Sequence, residues 1–231
     1  MFIIVNSYFD KGINDMAKAT KKRKPRADQA TRDRILAVAL KLFAERGHDG
    51  TTISEVARQT EVAQPLLHYY FDSKTALWKA AIDMVYAEHR AEFAAAEHLI
   101  HSLEPRMVLE MMLRHWLQVT AKYPEVGMIM QYEAGQESPR LQWLVEQHLQ
   151  PAQAHTANLL EQAQQAGQIK KVPMQHLIPI LTGAIRFFFA SGPYIKSIYG
   201  TDVNDPAVIK RQADYLVDIL LNGLLMQPVN K

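Results

Sequence analysis

Cysteine is missing altogether from the 231 residues. Its absence excludes disulfides, zinc sites built on thiolates and thiol redox chemistry, and it fits a reducing, cytoplasmic setting. Long apolar runs are missing too. No stretch approaches the ~18 consecutive apolar residues of a membrane span. Residues 1–5 (MFIIV) are too few for the apolar region of a signal peptide, and no basic segment precedes them. No membrane partner is expected. Strand-like alternation, internal repeats and a glycine-rich phosphate loop are also lacking. So are a nucleophile elbow, a metal-ligand motif and a convergent pair of carboxylates, so no enzyme activity and no cofactor are expected.

What is present is an apolar share of 48%, enough for a substantial core, and a formal net charge of only +2. The distribution of charge says more than its sum. Ala17 to Lys74 holds twelve Lys/Arg against seven Asp/Glu, a local +5, which leaves −3 for the remainder. A basic end on a neutral-to-acidic body suits contact with nucleic acid.

The most informative stretch is Thr51 to Lys74, TTISEVARQTEVAQPLLHYYFDSK. Thr52 with Glu55 three residues on predicts a capping box and a helix start. Ile53, Val56 and Ala57 form one apolar stripe. Glu61-Val62-Ala63 reads as a turn. Val62 and Leu67 then point back to the first helix, which leaves Gln64, Leu66, His68 and Tyr69 outward. So short a helix with polar and aromatic tips and little core of its own makes sense as a recognition helix in a DNA major groove.

Residues 31–77 resemble the N-terminal domain of the TetR family of bacterial transcriptional regulators. The matching residues are Ile35 to Phe43 (ILAVALKLF), Gly47, the T-T-I-x-x-V-A pattern at Thr51 to Ala57, Val62, Leu67, Tyr70, Phe71, Ser73, Lys74 and Leu77. The resemblance implies an all-helical homodimer that binds operator DNA and leaves it when a small-molecule effector enters the C-terminal domain. It also implies a phosphate contact for Lys74. Two residues depart from the family pattern. Glu61 stands where Gly is usual in the turn, which costs about 1 kcal/mol if the turn needs a positive φ. His68 stands where Tyr is usual.

The expected fold is all-α: a helix-turn-helix domain of three helices at 27–74 and a helical effector-binding and dimerisation bundle at 75–231. Residues 1–26 are expected to be a disordered or basic N-terminal arm, with Met16 as a candidate native start. Lys22, Arg23, Lys24 and Arg26 of that arm would track phosphates or enter the minor groove. Helix one is expected from Asp28 to Arg46, with Asp28 as N-cap, a buried face of Ile35, Leu36, Ala39, Leu42 and Phe43, and Gly47 as its stop. Thr51 and Thr52 would offer hydroxyls and free N–H groups to a phosphate. Gln64 is the candidate for reading adenine, Pro65 and Leu66 for meeting a thymine methyl, and His68, Tyr69 and Tyr70 for the DNA backbone. A long helix from Ser73 to about His101 carries Glu88, His89, Glu92, Glu97, His98 and His101 at helical spacings, which a solvated face explains better than a metal.

The body reads as helices over Pro105–Tyr123, Pro124–Gln136, Pro139–Ala166, Pro173–Ser191 and Pro206–Met226, with stops at Gly167, Gly192 and Gly200 and kinks or breaks at Pro151 and Pro179. Its methionines and aromatics are mostly core. Arg186 stands apart as the only charge between His176 and Lys196. Three readings are open: an internal pair with Glu133 or Glu110, a pair across a dimer interface, or an anionic or carbonyl-bearing ligand. The ligand-site candidates are Trp116, Tyr132, Glu133, Thr182, Arg186 and Phe187. The layout from Tyr123 to Gly200 is loosely similar to the effector domain of the family's regulators of pyrimidine breakdown. The last helix, with Tyr215, Leu216, Ile219, Leu220, Leu224 and Leu225, is expected to join the Phe187 helix in a dimer interface. The resulting expectation is a ligand-released repressor on a palindromic operator. Activation, co-repressor dependence or a non-specific architectural role are the alternatives.

Overall fold

The computed structural model describes residues 26–100 and 104–224; the side chains of 26–27, 92–100, 105 and 224 lie outside the described set. Every regular element in it is helical. The chain divides into two compact units, Met1–Ser102 and Leu103–Lys231.

In the first unit, α1 (Arg26–Gly50) breaks at Gly47, whose φ of 70° and ψ of 172° only glycine adopts readily. The expected stop is thus where the helix loses its regular geometry. The expected stripe of Ile35, Leu36, Ala39, Leu42 and Phe43 is buried throughout. Then come α2 (Ile53–Thr60), α3 (Gln64–Tyr70) and α4 (Lys74–Ile100). The Ser73 hydroxyl caps α4 by accepting the Ala76 N–H at 3.0 Å. Leu77, Trp78, Ala81, Ile82 and Val85 make a continuous buried face on α4, which packs along α1. That face ties the long helix to the first unit, whereas the expected boundary at residue 74 assigned it to the body. The spacing of α4 alone does not reveal which unit its apolar face covers.

The first helix also begins earlier than expected. Asp28 lies inside its first turn instead of capping it, and Arg26 is its first residue. Lys22, Arg23 and Lys24 fall outside the described residues, as do the side chains of Glu92, Glu97 and His98 and the whole of His101. Among the described residues no cluster of potential metal ligands occurs.

The second unit contains α5 (Pro105–Lys122), α6 (Pro124–Ala134), α7 (Pro139–Leu144), α8 (Gln150–Gln165), α9 (Met174–Ala190), α10 (Gly192–Tyr199) and α11 (Pro206–Leu224). Prolines open α5, α6, α7 and α11, where a missing N–H leaves no bond unmade. A π-type turn at Val145–Leu149 joins α7 to α8 just before Pro151. The expected kink therefore takes the form of one widened turn, which accommodates a ring that would clash with the preceding turn's carbonyl. Pro179 is tolerated inside α9 without a break. Gly167 and Gly200 adopt positive φ at helix ends, as their reading as stops requires. Gly192 instead starts α10, a helix not anticipated, and a Cβ there would stand 3.0 Å from the Val203 side chain. The core of this unit joins Leu109, Leu113 and Leu117 of α5 to Leu160, Leu181, Ile185, Phe189 and Leu221. Each such large side chain contributes roughly 1.5–3 kcal/mol by leaving water. No described helix is long and apolar enough to cross a membrane.

Candidate functional site

The helix-turn-helix is built from a cap, a strained turn and one anchor. Thr52 is extended (φ −117°), and its hydroxyl oxygen accepts the Glu55 N–H at 3.2 Å, which starts α2. The other half of the expected capping box does not form. The Glu55 carboxylate instead receives Arg58 Nη2 at 2.7 Å, Arg58 Nε at 3.1 Å and Gln59 Nε2 at 3.0 Å, with Arg46 Nη2 at 3.7 Å. The hydrogen bond from Arg58, helped by Gln59, pulls the Glu55 carboxyl down to about 2. Three cationic or amide donors outcompete one backbone N–H.

The chain leaves α2 through Glu61, at φ 54° and ψ 34°, the one non-glycine with positive φ among the described residues. The Glu61 and Val62 N–H groups donate back to the Arg58 and Ala57 carbonyls. The left-handed turn expected of a glycine is therefore made by a glutamate. Then α3 opens at Gln64-Pro65. Leu67 is its only buried side chain, 1% exposed, while Gln64, Pro65, Leu66, His68 and Tyr69 face outward, Tyr69 at 76%. This outward set is the one expected to read DNA.

Two residues assigned to DNA are otherwise engaged. Thr51 is fully buried, and its hydroxyl donates to the Gly47 carbonyl at 2.8 Å and the Leu42 carbonyl at 3.1 Å. It therefore closes the gap left where Gly47 breaks α1, and its hydroxyl does not reach outward to a phosphate as expected. Tyr70 is half-buried and donates its hydroxyl to the Asp28 carboxylate, and also lies 3.3 Å from the Asp28 carbonyl. The Asp28 hydrogen bond, with desolvation, pushes the Tyr70 phenol up to about 12. Tyr70 thus staples the end of α3 to the start of α1. Lys74, half-buried, is the first residue of α4.

In the body, Glu133 is 1% exposed and accepts Arg140 Nε at 2.8 Å and the Ser138 hydroxyl at 2.9 Å. Glu110 accepts Arg114 Nε at 2.9 Å, and Arg114 Nη1 reaches Asp214 at 2.8 Å. Both carboxylates proposed as internal partners of Arg186 are committed elsewhere, so that reading is corrected. Arg186 is half-buried and has no hydrogen-bond or ion-pair partner among the described residues. One turn before it, the Thr182 hydroxyl donates to the Ile178 carbonyl at 2.9 Å. Trp116 packs partly buried against the core. Tyr132 and Phe187 are 46% and 58% exposed. Phe187 lies 6.1 Å from the Tyr194 ring of α10.

Residues 35–81 match the profile of the bacterial regulatory proteins of the tetR family, and residues 105–220 match that of the tetracyclin repressor-like C-terminal domain. The chain belongs to the TetR family. It is 24% identical over 207 residues to the HTH-type transcriptional regulator RutR of Escherichia coli K12, covering 90% of this chain and 96% of RutR. The HTH-type transcriptional repressor NicS of Pseudomonas putida is 24% identical over 212 residues, with 89% and 98% covered. Among solved structures, a HlyIIR mutant superposes with a TM-score of 0.66 at 21% identity, over 88% of this chain and all of that one. FadR of Bacillus subtilis in complex with stearoyl-CoA superposes with a TM-score of 0.60 at 17% identity, over 82% and 97%. As a TetR-family protein the chain is a transcriptional regulator with a DNA-binding helix-turn-helix.

Sequence reasoning missed Asp28 as the partner of Tyr70, Arg140 as the partner of Glu133, and Ser54 beside Gln64. The Ser138-Pro139 helix start does carry a signal for the second, because it brings position 140 back over the end of α6. Nothing local signals the other two.

Proposed function

We propose that this protein is a cytoplasmic, homodimeric repressor that binds a palindromic operator and is released by a small-molecule effector, acting by binding and not by catalysis. The observation that carries the reading is α3: one buried anchor, Leu67, beneath an outward row of Gln64, Pro65, Leu66, His68 and Tyr69. A helix so held presents an amide and apolar tips to base edges, with His68, Tyr69 and Lys74 at the phosphates. The basic arm at Lys22–Arg26 adds sequence-independent attraction.

Dimerisation is supported by apolar side chains that face water within one chain. Ile180 and Phe187 of α9 and Tyr215 and Ile219 of α11 are each more than half exposed, and α9 packs beside α11. Such a concentration suits a two-fold interface, and two heads must reach major grooves about 34 Å apart. Effector binding centres on Arg186, whose half-buried guanidinium suits an anionic or carbonyl-bearing molecule, with Trp116 and Thr182 as further candidates. The effector acts by binding the DNA-free arrangement better than the bound one.

Selection of genomic fragments by the purified protein tests this, followed by anisotropy at two salt concentrations. A short palindrome with half-sites about one turn apart is expected. Uniform binding without an enriched sequence would overturn the reading. In the same assay Arg186→Ala should keep operator affinity and lose the response to the effector.

A further inference from the structure

The turn between α2 and α3 is bridged by side chains as well as by backbone. The Ser54 hydroxyl, in the first turn of α2, donates to Gln64 Oε1 at 3.1 Å. Both side chains are exposed, so the bond does not serve the core. Gln64 is the first residue of α3, and the preceding cap position, Ala63, offers no side-chain hydrogen bond. Among the described residues, no other side-chain hydrogen bond restrains the Gln64 amide.

We infer that Ser54 is a positioning residue for operator reading: it holds the Gln64 amide ready for a base, and so sets discrimination at the base pair that Gln64 meets. The inference rests on the reading of α3 as the recognition helix. A carboxamide oxygen has two lone pairs and its nitrogen two hydrogens. Ser54 occupies one lone pair, which leaves one acceptor and both donors. A bidentate contact to adenine N6 and N7 needs one acceptor and one donor on the same amide edge. The bond therefore restrains the side chain without consuming what the base requires. A glutamine at a solvated helix end otherwise loses rotamer freedom when it binds, and a side chain already held loses less. Ser54 sits on the preceding helix, which is itself fixed by the Thr52 cap and the Glu55 cluster, so its hydroxyl is a stable reference point.

The test uses the full-length protein and its Ser54→Ala, Ser54→Thr, Gln64→Ala and doubly substituted Ser54→Ala/Gln64→Ala forms. Each is measured by anisotropy on the selected operator, on single-base-pair variants of it, and on random duplex. Ser54→Ala should weaken binding to the selected operator by about threefold to tenfold, the range of one ordinary hydrogen bond. It should relax preference at the same base pair as Gln64→Ala, and leave random-duplex affinity and the thermal midpoint unchanged. Ser54→Thr keeps the hydroxyl and should restore discrimination. In the Gln64→Ala background, Ser54→Ala should change nothing further. An equal loss in that background, or a loss on random duplex, would mean that Ser54 contacts DNA in its own right and would overturn the inference. So would a silent Ser54→Ala. Failure of the wild-type protein to enrich any sequence overturns the operator reading itself, an outcome distinct from enrichment with uncoupled variants.

Discussion

The two units use charge in opposite ways. In the first, carboxylate and hydroxyl side chains secure short elements: Thr52 caps α2, the Glu55 cluster clasps it, and Tyr70 closes α3 onto α1. In the second, Glu133 is sealed from water with Arg140 over it, and Arg114 links α5 to α11 through Asp214. The head spends hydrogen bonds on orientation, whereas the body also stakes stability on a buried charge. Function follows the same division. On the function proposed above, the outward row of α3 is what the head offers to DNA, while the body leaves one half-buried cation, Arg186, without a protein partner among the described residues.

The largest test of this contrast is Arg140→Ala. It leaves the Glu133 carboxylate buried with only Ser138, and should destabilise the body by about 3–5 kcal/mol in urea unfolding followed by circular dichroism. A loss below about 1 kcal/mol, the range of an exposed pair, would erase the distinction between the units. Next, Leu67→Ala removes the only buried side chain of α3 and should cost about 2–5 kcal/mol and specific DNA binding with it. Leu66→Ala, on the outward face, should leave the urea midpoint unchanged within about 0.5 kcal/mol. Glu61→Gly should raise the stability of the head by up to about 1 kcal/mol, because the left-handed geometry then carries no Cβ clash. An unchanged or lower thermal midpoint would count against that geometry. The smallest effect concerns pH. Glu55 titrates at about 2 in the folded chain. A carboxyl depressed from 4.5 contributes stability above pH 4.5 that fades as pH falls toward 2. An NMR titration should find that low midpoint, and Arg58→Ala should move it back toward the ordinary carboxylate range.

Much of the head was legible because its signals are local. The Thr52 cap, the turn at Glu61, the anchor at Leu67 and the Gly47 break all depend on residues within a few positions. The outward set on α3 followed from the same periodicity. Proline at helix starts carried the body outline equally well. What escaped depends on contacts between distant residues. Tyr70 and Asp28 are 42 positions apart, and periodicity gives no register between them. Thr51 reads as a surface hydroxyl at a helix start, yet the carbonyls that the break at Gly47 sets free, of Gly47 itself and of Leu42 nine residues upstream, claim it. The apolar surroundings of Arg186 call for a partner and leave Glu133 or Glu110, a dimer contact and a ligand all open, without showing that Glu133 is already held. A nearer arginine across a tight Ser-Pro turn holds that carboxylate, with little loss of chain freedom.

His48 lies stacked on Phe43 with ring centroids 5.9 Å apart and stands edge-on to Trp78 at 6.3 Å. Trp78 is also the only tryptophan in the first unit; the other two, Trp116 and Trp143, belong to the body. The head thus contains its own fluorophore, enclosed by aromatic neighbours at the α1–α4 contact. With Trp116 and Trp143 replaced by phenylalanine, emission would come from the head alone. Any change in its wavelength or lifetime on adding an effector would be an optical record of a signal received in the body and delivered to the DNA-reading end.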